Sequence, residues 1–255
     1  MYAIFKREFL SYFRAPVGYV AIAIFTFISG FIFYSQFLTG IVNISSEVIS
    51  LRSLFVVIVP IITMGLLADD KKRGTDILYY TTPISLFNVV CGKVFASFAL
   101  FMIMFVNVII HMIVVLCCGG VIGVGAVGSI IVFIFMAFMF ITIGMFASAI
   151  TDSQIVSAIV SFVIIFVTQL ISMISDYIGT AMCSLITMIG IDSEKASSFG
   201  NSVKNAVAWF DPFAKTQNFR IGIFSVSALF FLVSIGVLFL YLTYRVLEKK
   251  RWSQA

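Results

Sequence analysis

Residues able to do chemistry are few in this chain, and most of them crowd into one stretch. Ala68-Asp69-Asp70-Lys71-Lys72-Arg73-Gly74-Thr75-Asp76 is dense in charge and runs into Ile77-Leu78-Tyr79-Tyr80, then Thr81-Thr82-Pro83-Ile84-Ser85 and Gly92-Lys93. Gly92-Lys93 does not complete a P-loop, because Val94 stands where Ser or Thr is required and the earlier glycine is missing. His111, the single histidine, follows Asn107 by one helical turn, so the two share a helix face. That pair suits interhelical hydrogen bonding, with a proton relay as the alternative reading. Gln169 is open in the same way, as a packing group or as part of a pathway lining. No H-E-x-x-H, no G-x-S-x-G in a soluble setting and no paired carboxylates on one face occur. Cys91, Cys117, Cys118 and Cys183 form no C-x-x-C pair and have no histidine at ligand spacing, which argues against zinc or redox chemistry. Free cysteines and a disulfide from Cys183 to Cys117 or Cys118 both remain open. No catalytic, cofactor-binding or metal-binding set is expected.

The elements that must position these residues are membrane spans. Of the 255 residues, 62% are hydrophobic and only 11% charged, and the mean hydropathy is +1.16. A soluble domain carries about 25% charged residues, so this composition describes an integral membrane protein with no sizeable soluble enzyme domain. Six apolar stretches are long enough to cross a bilayer at about 20 residues each: 18–38, 51–68, 94–118, 129–150, 155–174 and 221–244. The second is short as an uninterrupted run, and reaches full length only if Arg52 snorkels to the headgroups. No Asp, Glu, Lys or Arg falls in the middle of a span so defined.

Charge placement gives the orientation. With both termini cytoplasmic, Lys6, Arg7, Arg14, Lys71, Lys72, Arg73, Lys93, Arg245, Lys249, Lys250 and Arg251 lie inside, against Arg52, Lys195, Lys204, Lys215 and Arg220 outside. This satisfies the positive-inside rule and explains the net charge of +5 without a nucleic-acid partner. The location expected is the cytoplasmic (inner) membrane. The first apolar run is too long for a signal peptide and lacks an A-x-A-like cleavage site, so it reads as a retained span.

Between spans, residues 1–16 set Tyr2, Phe5, Phe9, Tyr12 and Phe13 on one helical face and Arg7, Ser11 and Arg14 on the other. That pattern predicts an amphipathic helix in the inner headgroup plane, an elbow leading into the first span at Pro16 and Gly18. In the connection 69–92, Thr75 is placed to cap a short helix that Pro83 ends. Its apolar residues would either dock a partner or pack on the spans' inner ends. Asp152 is placed to cap the fifth span, and the outer stretch 175–220, with its apolar piece 177–189, predicts short helices in or on the outer leaflet.

The connection after span two resembles that of permease subunits of ABC transporters of the type-2 (ABC-2) export family. Those permeases have six spans and an N-terminal elbow. They carry A-E-E-[RK]-x-x-G-T, a short apolar helix, T-x-P-[IV]-S and G-K, as Ala68 to Thr75, Thr81 to Ser85 and Gly92-Lys93 do here at matching spacing. The hairpin Phe146 to Val156 and Asp211-Pro212-Phe213 are also similar to that family, and the opening residues look closest to permeases of the gliding-motility and nitrous-oxide-reductase-maturation kind. Asp70 stands where the family usually has Glu, and Asp76-Ile77 inverts the usual order.

The resemblance implies a non-enzymatic permease subunit of an exporter, paired with a second copy or a related permease. ATP and magnesium would sit on separate cytoplasmic ABC ATPase subunits. It further implies that the short helix is a coupling helix, with Asp69, Asp70, Arg73, Gly74, Thr75, Asp76, Ile77, Leu78 and Tyr79 contacting the ATPase. An ATP-independent channel or secondary transporter, or an anchor recruiting a cytoplasmic partner, are the rival readings.

Overall fold

The computed structural model describes residues 1–40, 42–81, 84–188 and 193–253. Thr82 and Pro83, the latter expected to end the short helix, lie outside the described residues, as does Ile189 at the end of the outer apolar piece. Among the described residues the regular structure is all helical: α1 (Tyr2–Arg14), α2 (Pro16–Leu38), α3 (Ile44–Leu51), α4 (Phe55–Thr63), α5 (Ala68–Arg73), α6 (Ile77–Thr81), α7 (Leu86–Cys117), α8 (Val124–Ile150), α9 (Gln154–Met188), α10 (Ser193–Ala208), α11 (Pro212–Lys215) and α12 (Val226–Ser253). Six apolar segments are long enough to cross a membrane: α2, the interrupted run Ile44–Arg73, α7, α8, α9 and α12. The protein is an all-α polytopic membrane protein.

The second and fourth spans form its centre. In each, 67% of the apolar window is buried, against 22% in the first and last and 17% in the fifth, which puts those three on the outside of the bundle. Where spans two, three and four cross, the Phe55 ring packs tilted against Phe133 at 4.7 Å, Phe140 at 5.3 Å and Phe101 at 5.8 Å. Gly144 allows α8 to close on α4, since a Cβ there would lie 2.2 Å from the Thr63 hydroxyl.

The fourth span starts at Val124 instead of 129 and the last runs Val226–Ser253 instead of 221–244; three further boundaries differ from the hydropathy reading. The second span begins at Ile44, where the Asn43 side chain accepts from the backbone N–H groups of Ser45 and Ser46 and caps α3. Ser45, Ser46 and Glu47 dilute the hydropathy of a helix whose Ile44, Val48 and Leu51 are buried. The third span begins at Leu86, which draws Gly92 and Lys93 into the buried helix. The piece from 177 to 188 forms no separate outer helix but continues α9, and α10 folds back on it. Gly179 and Gly200 permit that close crossing, a Cβ on Gly200 falling 2.7 Å from the Gly179 carbonyl.

The helix α1, the residues 64–81, the α8–α9 turn and the end of α12 share one face. Arg7 reaches Tyr79, while Lys71 and Lys250 both pair with Asp152, at 3.4 Å and 3.6 Å. Asp152 therefore bridges elements rather than capping α9, and Lys71 holds its carboxyl below the usual carboxylate range. All four cysteines are free.

Candidate functional site

The site is built where the second span breaks. After Thr63 the helix opens over 64–67 before α5 resumes, which frees backbone groups inside a buried segment. Such groups must find partners within the protein. Ser148 of α8 supplies them: its hydroxyl accepts from Leu67 N and Ala68 N, both at 3.0 Å, and donates to Met64 O at 3.1 Å. Lys93 of α7 donates to Leu66 O.

Lys93 is 1% exposed and holds two carboxylates. Its Nζ lies 2.6 Å from Asp70 Oδ2 in α5 and 3.1 Å from Glu8 Oε1 in α1. Asp70 also accepts from the Tyr79 hydroxyl at 2.6 Å and from Thr75 Oγ1 at 3.0 Å. Arg7 closes the set by donating to Tyr79 Oη at 2.7 Å and to Glu8 at 2.6 Å. Burial raises the Tyr79 phenol above its ordinary range, a shift that Lys93 opposes and the hydrogen bond to Asp70 reinforces, so the phenol stays protonated. Tyr12 ties α1 down a second time, its hydroxyl giving a hydrogen bond to Ile62 O at 2.6 Å and meeting Ser97 Oγ at 2.8 Å. Gly92 makes room for this packing, a Cβ there meeting Ile4 at 3.2 Å. The buried ammonium at the start of span three thus holds α1 and the broken end of span two directly, and α6 through Asp70.

This places the nine residues expected at an ATPase contact in two groups. Asp70, Thr75 and Tyr79 turn inward; the Thr75 hydroxyl bonds Asp70 instead of capping α6, and Tyr79 is 5% exposed. Asp69 accepts from Gln154 at the start of α9. Asp76 is half-buried, its carbonyl accepting from Tyr79 N at 2.9 Å. Gly74 ends α5 at φ +67°, a left-handed conformation that glycine adopts without strain, and so turns the chain into α6. Arg73, Gly74, Ile77 and Leu78 are exposed. A cleft of about 490 Å³ opens between α1 and this connection, with Arg7, Glu8, Asp69, Asp70 and Arg73 in its walls.

The intramembrane polar residues do not converge on one pathway. His111 Nδ1 meets Glu47 Oε1 at 2.7 Å, Ser29 donates to the same oxygen at 3.0 Å, and Asn107 donates to Ser29 at 3.1 Å. This cluster ties spans one, two and three, and Phe33 stacks on the imidazole at 4.2 Å. Glu47 is fully buried, one turn into a second span that the hydropathy bounds began only at 51. Gln169 lies elsewhere, donating to Arg52 O at 3.2 Å. Arg52 does not snorkel as expected; it is 7% exposed. Sequence reasoning also missed Glu8, Ser97 and Ser148, and placed Lys93 only in a motif and among the cytoplasmic cations. A Gly-Lys pair opening a span, with carboxylates in the preceding connection, was the one available signal.

Six spans enclosing buried polar clusters, with a charged break at one face, define a multi-pass membrane component. The family model described as ABC-2 family transporter protein matches residues 2–252, and the chain belongs to that family. It is a permease-type membrane component of an ABC transporter, in a family that mediates transmembrane transport and works with an ABC ATPase. No curated protein matches the chain.

Proposed function

We propose that this chain is the substrate-translocating subunit of an ATP-driven exporter in the cytoplasmic membrane, with both termini in the cytoplasm. Two such permeases, identical or related, enclose the path, and ATP with magnesium is bound by two separate ATPase subunits. Each ATPase docks on α6, where Ile77 and Leu78 offer an apolar face flanked by Arg73 and Gly74. Asp70 and Tyr79 act behind that face and convey its displacement to the spans. Asp69, Thr75 and Asp76 hold the connection in shape.

One observation carries the reading: α6 is exposed on its outer side, at 54% for Ile77 and 55% for Leu78, and bonded through Tyr79, Asp70 and Lys93 on its inner side. An element so held moves as a unit with the ends of spans two and three, which suits the rigid-body switching of a two-state transporter. The given sequence holds no P-loop motif, so on this reading ATP is bound by another chain.

The test is Ile77→Asp with Leu78→Asp in the complex purified with its ATPase. Permease-dependent ATP hydrolysis should fall to the level of the isolated ATPase while the permease melts at its normal temperature. Unchanged hydrolysis would remove α6 from the coupling route. The buried Glu47–His111 pair favours a second reading, a proton-coupled transporter. It requires transport to persist without the ATPase and to stop when the proton gradient collapses.

A further inference from the structure

The face away from the termini holds a cleft of about 670 Å³ between the tight turn Arg52–Leu54 of the second span, α9 and the segment that precedes the last span. Arg52, Gln169, Asn218 and Arg220 give its walls their polarity, and Ile49 and Phe213 give them apolar surface. Arg52 is 7% exposed, and neither its Nε nor its Nη2 has a hydrogen-bond partner among the described residues. Arg52 follows Ile44, the first residue of the spanning run, by eight residues, about 12 Å along the helix, so it lies inside that run. A cation there is costly and calls for a counter-charge.

The cleft does not supply that counter-charge. None of the residues lining it is acidic. Asp211, which begins the segment, spends its carboxylate on Phe213 N at 2.7 Å, Ala214 N at 3.2 Å and the Ser172 hydroxyl. Gln169 is held by its bond to Arg52 O. The backbone that carries the second cation is held in place: Gly125 and Gly128 of α8 lie against the carbonyls of Arg220 and Phe219, where any Cβ would fall within 2.6 Å of an oxygen. Two guanidinium groups on separately fixed walls, with donors and apolar surface between them, match a planar or tetrahedral oxyanion attached to an apolar body.

We infer that this cleft binds the anionic head of an amphipathic molecule, a phosphate or carboxylate on an apolar tail, through Arg52 and Arg220. The source of the head is either a membrane phospholipid or a single-chain anionic cargo, and the two share this chemistry. The inference does not depend on the ATPase reading, because binding needs no nucleotide.

The full chain, purified in a neutral maltoside detergent, is titrated with dihexanoyl-phosphatidylglycerol, with decanoate and with dihexanoylglycerol, a neutral control. Binding is read by native mass spectrometry and by melting temperature. At least one anionic probe should bind and raise the melting temperature, with affinity falling about tenfold or more in Arg52→Gln, as loss of a charge-assisted hydrogen bond implies. Arg52→Lys should retain part of it. Phosphatidylglycerol binding alone identifies the head of a membrane phospholipid, and decanoate binding alone the carboxylate of a single-chain cargo. Should Arg52→Gln fail to fold, Arg220→Gln on the exposed wall carries the test, with a loss of about threefold or more expected. The inference is overturned if neither anion binds, if dihexanoylglycerol binds as well as they do, or if both arginine variants leave affinity unchanged.

Discussion

Replacing Lys93 by methionine preserves the aliphatic stem and most of the volume while removing the cation that Asp70 and Glu8 share. Breaking a buried pair from one side costs about 3–5 kcal/mol, because the remaining charge loses its compensation. Here Glu8 keeps Arg7 at 2.6 Å, and Asp70 keeps Tyr79 and Thr75, which places Lys93→Met near the lower bound, about 3 kcal/mol. Asp70→Asn leaves Lys93 with Glu8 and still accepts from Tyr79, so it should cost less, about 1–3 kcal/mol. The double variant should be more stable than the sum of the singles by about 1–2 kcal/mol, the coupling of two groups in contact. The assay is reversible unfolding of the purified permease in mixed micelles, with permease-dependent ATP hydrolysis measured on the same variants in complex. Both single variants should impair hydrolysis more than they impair ATPase binding. Additivity of the two substitutions within about 0.3 kcal/mol, or a Lys93→Met protein as stable as wild type, would refute the reasoning.

Further outcomes follow from individual contacts. Ser148→Ala strands the N–H groups of Leu67 and Ala68 and the Met64 carbonyl, and should lower stability by about 1–3 kcal/mol in the same unfolding assay. Gly144→Ala forces a methyl against Thr63 and should cost about 1–3 kcal/mol through overpacking at the α4–α8 crossing, read as a lower melting temperature. His111→Ala leaves the Glu47 carboxylate with Ser29 alone, whereas Glu47→Gln keeps a hydrogen-bonding partner for His111. The first should therefore lower the melting temperature more than the second, and equal effects would deny the pair a structural role.

The number of spans is legible because lipid leaves little freedom: each crossing needs about 20 apolar residues, whatever it packs against. What hydropathy misses is polarity neutralised by contact. Glu47 reads as a loop carboxylate beside Ser45 and Ser46, and only the fold brings it to His111, 64 residues away. Lys93 is visible as half of a Gly-Lys pair, yet Glu8 lies 85 residues before it, beyond the reach of any helical periodicity. The helix at 2–14 is legible from its aromatic and basic faces, but the hydroxyl of Tyr12 and the guanidinium of Arg7 are directed by neighbours that a helical wheel does not contain. The charged connection after span two stands out by its spacing. Its division into exposed Ile77 and Leu78 and inward Asp70 and Tyr79 depends on where span three begins, which Lys93 obscures by lowering the local hydropathy of a helix that already runs from Leu86.

The most direct measurement is a cross-link. In a cysteine-free complex purified with its ATPase, a cysteine at Leu78 should form a short thiol cross-link to the ATPase subunit, more strongly with bound nucleotide. A cysteine at Val121, 91% exposed on the opposite face, should form none. Absence of the Leu78 product while the ATPase remains bound, or a product from Val121, would contradict the account.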